Sequence, residues 1–211
     1  MHLADIANIS VVPHSLIRLK SGKLAYITKR IDRYKHGKIQ MEDMCQLTEK
    51  LTEDKYHGSY EQIARIILKY SANPGLDVVN FFEQVLFSFI TGNSDMHLKN
   101  FSLISQPGIG PVLTPAAYDL VATVLVNPAD DEVLALTLNG KKKKIKRKDF
   151  ITAFNNLKLD NRQQENTFRK MERARNSWAE FIDISFLTDD IKAQYKGVIG
   201  ERFARIYSIA P

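Results

Sequence analysis

Apolar positions near the start of the chain come in short, closely spaced groups. Leu3, Ile6 and Ala7 suit a short helix that stops before Val11-Val12-Pro13. Leu16-Ile17-Arg18-Leu19 and Leu24-Ala25-Tyr26-Ile27 flank Ser21-Gly22-Lys23, the pattern of a β-hairpin. From residue 40 the period turns helical, with Met41, Met44, Cys45 and Thr48 on one face. Ser59-Tyr60-Glu61-Gln62 matches a capping box, in which the hydroxyl serves a free N–H and the glutamine reaches back. It opens a helix with Ile63, Ile66, Ile67 and Tyr70 at i, i+3, i+4 and i+7, which Asn73-Pro74-Gly75 ends. The next helix, about 77–91, carries Val78, Phe81, Phe82, Val85, Leu86, Phe89 and Ile90. Those side chains cover most of its circumference, so it is expected to be a buried central helix. Gly92 stands where its C-terminal cap belongs.

Beyond it, residues 101–104 and 111–114 suit a short hairpin around Pro107-Gly108-Ile109-Gly110, and Val133 to Leu138 suits a further strand. Helical spacing returns in segments 148–157, 161–182 and 188–208. The sum is a mostly helical α+β chain with no clear linker. At 211 residues, 44% hydrophobic and 26% charged, it is an ordinary globular composition, which excludes intrinsic disorder, collagen and a disulfide scaffold. A net charge of +6 leans toward anionic partners without the basicity of a nucleic-acid arm. The lone Cys45 cannot form an internal disulfide, and it sits on the apolar side of its helix as a core residue. The start has no basic region ahead of a long apolar run. The stretch from Val78 to Ile90 is too short and too polar for a bilayer, so no membrane role and a cytoplasmic location are expected.

The chemistry concentrates in Thr91-Gly92-Asn93-Ser94-Asp95-Met96-His97-Leu98-Lys99-Asn100, directly after the buried helix. Asp95 and Asn100 have the Asp-x-x-x-x-Asn spacing of protein-kinase catalytic loops. There the aspartate accepts a proton from the acceptor hydroxyl while the asparagine carbonyl holds Mg²⁺ on the triphosphate. A second acidic metal ligand should follow a short hairpin, and Asp119 in Pro115-Ala116-Ala117-Tyr118-Asp119-Leu120 stands there. The spacing alone recurs by chance, and on it Asn93 and Asp95 read as turn and cap residues. The succession of buried helix, polar cluster, hairpin and lone aspartate favours the kinase reading.

Gly92 to Asn100, followed by Pro115-Ala116-Ala117-Tyr118-Asp119-Leu120, closely resembles the HipA family of bacterial serine/threonine kinase toxins. Pro13-His14-Ser15-Leu16-Ile17-Arg18-Leu19, Lys29-Arg30-Ile31-Asp32-Arg33, Met41-Glu42-Asp43-Met44-Cys45-Gln46 and Gly58-Ser59-Tyr60-Glu61-Gln62-Ile63-Ala64 agree, so the resemblance covers nearly the whole chain. It implies the large lobe of a protein-kinase-like fold over residues 1–211, with hinge and hairpin in 1–39. The helical lobe would span 40–211, with its catalytic loop at 92–100 and metal-binding segment at 115–120. It implies ATP- and Mg²⁺-dependent phosphorylation of a protein. Asp95 would be the catalytic base, and Asn100 and Asp119 the metal ligands. His97, Lys99, Asn100 and Tyr118 would line the phosphate side. Lys29, Arg30 and Ile31 would be the hinge that holds adenine by backbone groups, with Asp32 near the ribose. The family's partners would be a DNA-binding HipB-like antitoxin, DNA through that antitoxin, and in some cases an aminoacyl-tRNA synthetase as substrate.

The chain departs from a complete kinase in having no Gly-x-Gly-x-x-Gly, and Gly108 and Gly110 come after the catalytic loop. Lys29 at a strand end resembles the phosphate lysine of a small lobe, but the family pattern places it in the hinge. The chain therefore corresponds to the C-terminal half of a family member, with the small lobe expected from another gene or from upstream of Met1. The alternative is a catalytically silent, kinase-derived module that contacts DNA through Lys141-Lys142-Lys143-Lys144-Ile145-Lys146-Arg147-Lys148. A solvated arm and helix start is the plainer account of that run. His97 is open to phosphate contact or to bonding the loop backbone. No second His or Cys stands at ligand spacing, so no zinc site is expected. His36 and His57 read as loop residues, and Trp178, Phe181 and Ile182 as core.

Overall fold

The computed structural model describes residues 1–113, 117–127 and 131–208. A short helix α1 (His2–Ile6) precedes the antiparallel hairpin of β1 (His14–Arg18) and β2 (Leu24–Thr28), with His14 opposite Thr28 and Arg18 opposite Leu24. A two-residue pair, β3 (Arg33–Tyr34) and β4 (Gly37–Lys38), leads to β5 (Met41–Asp43). This last strand lies antiparallel to β6 (Ser102–Gln106), which pairs in turn with β7 (Gly110–Leu113). The helices are α2 (Met44–Leu47), α3 (Tyr60–Tyr70), α4 (Pro74–Thr91), α5 (Arg147–Asn156), α6 (Asn161–Ile184) and α7 (Asp189–Tyr207).

Helix α4 is the axis of the molecule, as its wide apolar circumference implies. Phe81, Phe82, Val85, Leu86, Phe89 and Ile90 are all fully buried, and α3, α6 and α7 pack around them. The rings meet edge-on: Phe81 with Phe82 and Phe101, Phe82 with Phe154, Phe87 with Trp178. Such pairs add about 0.5–1.5 kcal/mol each beyond the area they bury. Trp178 is core as expected, and its indole N–H donates to the Leu3 carbonyl at 2.7 Å, which docks α1 on α6. Cys45 is buried. Buried Asp77 near the start of α4 accepts the Leu113 N–H at 2.7 Å and so ties the helix to β7.

Three expectations are corrected. Met41 lies in a strand rather than on a helix, because β6 takes residues 41–43 as its edge partner; α2 is a single turn that starts at Met44. Asp43 caps it in a reciprocal box with Gln46. Pro74 and Gly75 do not close α3 but open α4, where a proline loses no helical hydrogen bond. Residues 133–138 form no continuous strand. Their side chains are mostly buried on both sides of the backbone, and only isolated bridges join Thr137 to Ser59 and Leu138 to Lys141. At Ser59 the serine half of the capping box is present, its hydroxyl accepting the Gln62 N–H at 3.1 Å. The helices expected at 148–157, 161–182 and 188–208 shift by one or two residues at their ends.

The lysine run begins at a tight turn, Asn139-Gly140, with both residues at positive φ. Lys141 reaches the fully buried Asp149 at 2.7 Å, and Lys142 and Lys143 pair with Glu132 and Asp131. Burial raises the Asp149 pKa, but hydrogen bonds from Lys141, Asn139 and the Lys146 N–H outweigh it and leave the carboxyl below its usual range. The run thus anchors the start of α5.

Candidate active site

Gly92 ends α4 at φ +81°, and a Cβ there would stand 2.4 Å from Val124 Cγ1. Only glycine takes both the left-handed backbone and that close approach. The chain turns sharply off a rigid helix, and the loop that follows is tied down from every side. Asn93 is buried; its Oδ1 accepts the Asp95 N–H at 3.1 Å and its Nδ2 donates to the Asp119 carbonyl at 3.3 Å. The Ser94 N–H donates to the Thr123 hydroxyl at 2.8 Å. The Tyr60 hydroxyl donates to the Met96 carbonyl at 3.1 Å, and the Leu98 N–H to the Lys55 carbonyl at 3.1 Å. Residues Leu98–Asn100 close one 3₁₀ turn before β6.

This framework brings together the groups that the spacing singled out. Asn100 Nδ2 donates to Asp119 Oδ2 at 3.0 Å, although 19 residues separate them. The Asn100 carboxamide and the Asp119 carboxylate carry hard oxygen atoms of the type Mg²⁺ takes. Asp95 Oδ1 accepts the Tyr56 hydroxyl at 2.6 Å. Burial and that hydrogen bond push the Tyr56 pKa up to about 12, so the phenol remains a donor throughout the physiological range. Its ring also meets His97 edge-on at 5.0 Å. Tyr56 was missed in the sequence: it lies 39 residues before Asp95, in a segment with no periodicity, and only the fold joins them.

His97 is buried, and its Nδ1 has no hydrogen-bond partner. Burial lowers its pKa, against the pull of Asp95, and favours the neutral imidazole. Tyr118 places its hydroxyl between the Lys99 carbonyl (2.6 Å) and the Ser102 hydroxyl (2.9 Å). Burial raises its pKa to about 12. Lys99 turns away from this group: its ammonium pairs with Asp43 at 3.0 Å. Of segment 115–120, Pro115 and Ala116 lie outside the described residues.

Lys29, Arg30, Ile31 and Asp32 follow β2 and, with Val12, Met41 and Tyr118, line a cleft of about 270 Å³. Arg30 holds Asp32 through two hydrogen bonds, and this lowers the Asp32 pKa. Asp95, with Tyr56, Ser94, Val121 and Thr123, lines a separate cleft of about 450 Å³. Tyr118 and Asp119, adjacent in the chain, face the first cleft and the Asn100 carboxamide respectively. A cleft of similar volume between Asn8, Glu83 and the basic side of α6 contains none of these residues, so size does not choose the site; chemistry does.

A buried helix, a pinned Asp-x-x-x-x-Asn loop and an aspartate bonded to its asparagine define the large lobe of a kinase-like fold. The sequence profile of the HipA-like C-terminal domain matches residues 1–178. The chain belongs to that family. It is 35% identical over 144 residues to "Putative kinase Y4dM" of Sinorhizobium fredii, covering 68% of this chain and 34% of that protein. It is 31% identical over 108 residues to a protein of Haemophilus influenzae that carries the name "Putative kinase", covering 47% and 31%. The matched stretch thus spans about a third of each curated relative. Among solved structures, Shewanella oneidensis HipA, in complex with HipB and operator DNA, superposes with a TM-score of 0.80 at 20% identity, over 98% of this chain and 54% of that one. The Helicobacter pylori proinflammatory kinase CtkA gives 0.67 at 15%, over 97% and 80%. These two likenesses bear out the mostly helical, kinase-like large lobe. No helix among the described residues is long and apolar enough to cross a membrane.

Proposed function

We propose that this chain is the large lobe of a HipA-type serine/threonine kinase that passes the γ-phosphate of ATP to a protein hydroxyl. The Asn100–Asp119 contact at 3.0 Å, beside Asp95 on the same pinned loop, carries this reading. The Asn100 amide oxygen and the Asp119 carboxylate would hold Mg²⁺, which when bound neutralises charge on the phosphate oxygens. An acceptor hydroxyl would enter through the cleft lined by Asp95. Tyr56 occupies Oδ1 of Asp95, which leaves Oδ2 to take the hydroxyl proton. Backbone groups of Lys29, Arg30 and Ile31 would hold adenine across from the Tyr118 ring, with Asp32 at the ribose. The unpartnered Nδ1 of His97 suits a bound phosphate, because a buried polar atom without a partner costs about 1–3 kcal/mol. Lys99 would join the phosphates only by leaving Asp43.

The proposed partners are a HipB-like DNA-binding antitoxin, DNA through it, and a small lobe supplied separately or upstream. The proposed setting is the cytoplasm, and the substrate a protein such as an aminoacyl-tRNA synthetase. The 211-residue chain offers the hinge, the catalytic loop and the metal aspartate, but no glycine-rich loop or phosphate lysine. Each charge-assisted hydrogen bond contributes about 1.5–3 kcal/mol, so three or four fewer weaken ATP binding by several orders of magnitude. Calorimetric titration of ATP·Mg²⁺ should give at most weak binding to this chain and a large gain once the small lobe is present. With the lobe present, Asp119→Ala should abolish Mg²⁺-dependent transfer and leave the fold intact. Retained transfer would overturn the assignment.

A further inference from the structure

His2 and Asp5 lie three residues apart on α1 and so share one face. His14, the first residue of β1, meets that face. Its side chain is only 5% exposed, against 51% for Asp5. Nδ1 of His14 lies 3.0 Å from the Val12 carbonyl, an acceptor, so that nitrogen carries the proton. The other nitrogen, Nε2, faces His2 Nδ1 at 3.3 Å and Asp5 Oδ2 at 3.8 Å. The donor atoms of all three side chains lie within 4.8 Å of one another. We propose that His2, Asp5 and His14 form a binding site for a borderline divalent transition-metal ion of the Zn²⁺ class.

Three lines of chemistry support it. Ligands at roughly 2.0–2.1 Å from a tetrahedral ion stand about 3.3–3.4 Å apart; the His14–His2 contact has that separation, the His14–Asp5 contact is 3.8 Å, and the exposed Asp5 and His2 side chains, within 4.8 Å of each other, can rotate to close the set. Two imidazoles and one carboxylate select Zn²⁺, Co²⁺ or Ni²⁺ over Mg²⁺. The bond from His14 to the Val12 carbonyl is the outer-shell partner that typically fixes the tautomer and ring orientation of a metal-binding histidine. Around the cluster, the His2 ring packs against Phe181 and the His14 ring faces Tyr26. Asp5 and His2 are exposed, which leaves the fourth position to water.

Such an ion would clip α1 to the root of the hairpin. His14 pairs with Thr28, and the Lys29 N–H donates to the Pro13 carbonyl at 2.8 Å, so the clip would sit where the segment Lys29–Asp32 leaves β2. The expectation of no zinc-type site rested on linear spacing; the fold brings together two histidines twelve residues apart. The test uses the untagged 211-residue chain, freed of metal with a chelator. Zn²⁺ titrated by calorimetry should bind at one equivalent with micromolar affinity, and Co²⁺ should give the visible bands of a tetrahedral site. Saturating Zn²⁺ should raise Tm by about 5 °C or more, and excess Mg²⁺ should not compete. His14→Gln, and the more exposed His2→Gln and Asp5→Asn, should each weaken Zn²⁺ at least ~10-fold. If His14→Gln does not fold, the other two variants decide. Absence of binding, competition by Mg²⁺, or affinity unchanged in His2→Gln and Asp5→Asn would overturn the site, the last by placing the ion at His36, His57 or His97.

Discussion

The loop after α4 lines the cleft that holds Asp95, and the β1–β2 hairpin runs into Lys29–Asp32 at the other cleft; the two are held in opposite ways. Asn93, Met96, His97, Leu98 and Asn100 are buried, and side chains from Tyr56, Tyr60, Asp119 and Thr123 bond the loop. The hairpin is held mainly by its own ladder. Ile17, Leu19, Leu24, Tyr26 and Ile27 are all exposed, on a two-stranded sheet that has no third strand among the described residues. An isolated two-stranded hairpin is marginal in water. The Asp95 loop therefore comes preorganised by the helical core, while the hairpin leaves apolar side chains exposed. Under the proposed function, catalytic geometry would come from the large lobe and nucleotide affinity from the small lobe.

Stability should divide along the same line. Phe82→Ala removes a fully buried ring packed against Phe81 and Phe154 and should cost about 3–5 kcal/mol in denaturant unfolding. Ile27→Ala on the hairpin should cost under ~1 kcal/mol in the isolated chain. A large loss for Ile27 would mean that the hairpin is packed in solution after all. The preorganised loop makes a kinetic demand too. With the small lobe present, Asp95→Asn should leave nucleotide affinity nearly unchanged and slow phosphate transfer at least ~10²-fold. An equal fall in affinity would make Asp95 a binding residue.

Tyr56→Phe asks whether the carboxylate needs its tether. It removes one hydrogen bond to a charged group, which is worth about 1.5–3 kcal/mol, so transfer should slow by ~10-fold or more with KM for ATP little changed. A rate equal to the parent's would mean that the loop backbone alone orients Asp95.

The smallest effect is a slope in stability against pH. Burial holds the folded-state pKa of His97 below the ordinary histidine value of 6.5. Below pH 6.5 the unfolded chain therefore binds a proton that the folded chain does not. Stability falls as pH drops from 6.5 to the folded pKa, and is flat above 6.5. His97→Gln should reduce that slope in unfolding measured between pH 7 and 5. Part of it should remain, because His2 is lowered in the same direction. An unchanged slope would show that His97 titrates freely.

Much of this architecture was legible in linear order because local physics dictates it. The spacing of Phe81, Phe82, Val85, Phe89 and Ile90 names a buried helix without reference to any neighbour, and Gly92 after it names the turn. Asp95 and Asn100 are five positions apart on one loop, so their pattern survives in one dimension. The strand at Met41–Asp43 was not legible, because an apolar residue every third or fourth place suits a helix until β6 supplies an edge to pair with. Nor was the start of α4 at Pro74, where a proline that reads as a helix stop instead begins a helix.

By itself the sequence determined the central helix, the catalytic-loop pattern and the family resemblance, since each rests on residues close together in the chain. Tertiary structure alone decided what meets across it: Asp119 on Asn100, Tyr56 on Asp95, His14 against His2 and Asp5. Those contacts depend on where the buried helix sends the backbone. A hydrogen bond between side chains 19 or 39 residues apart leaves no period in the sequence, because its energy is realised only once the core between them has packed.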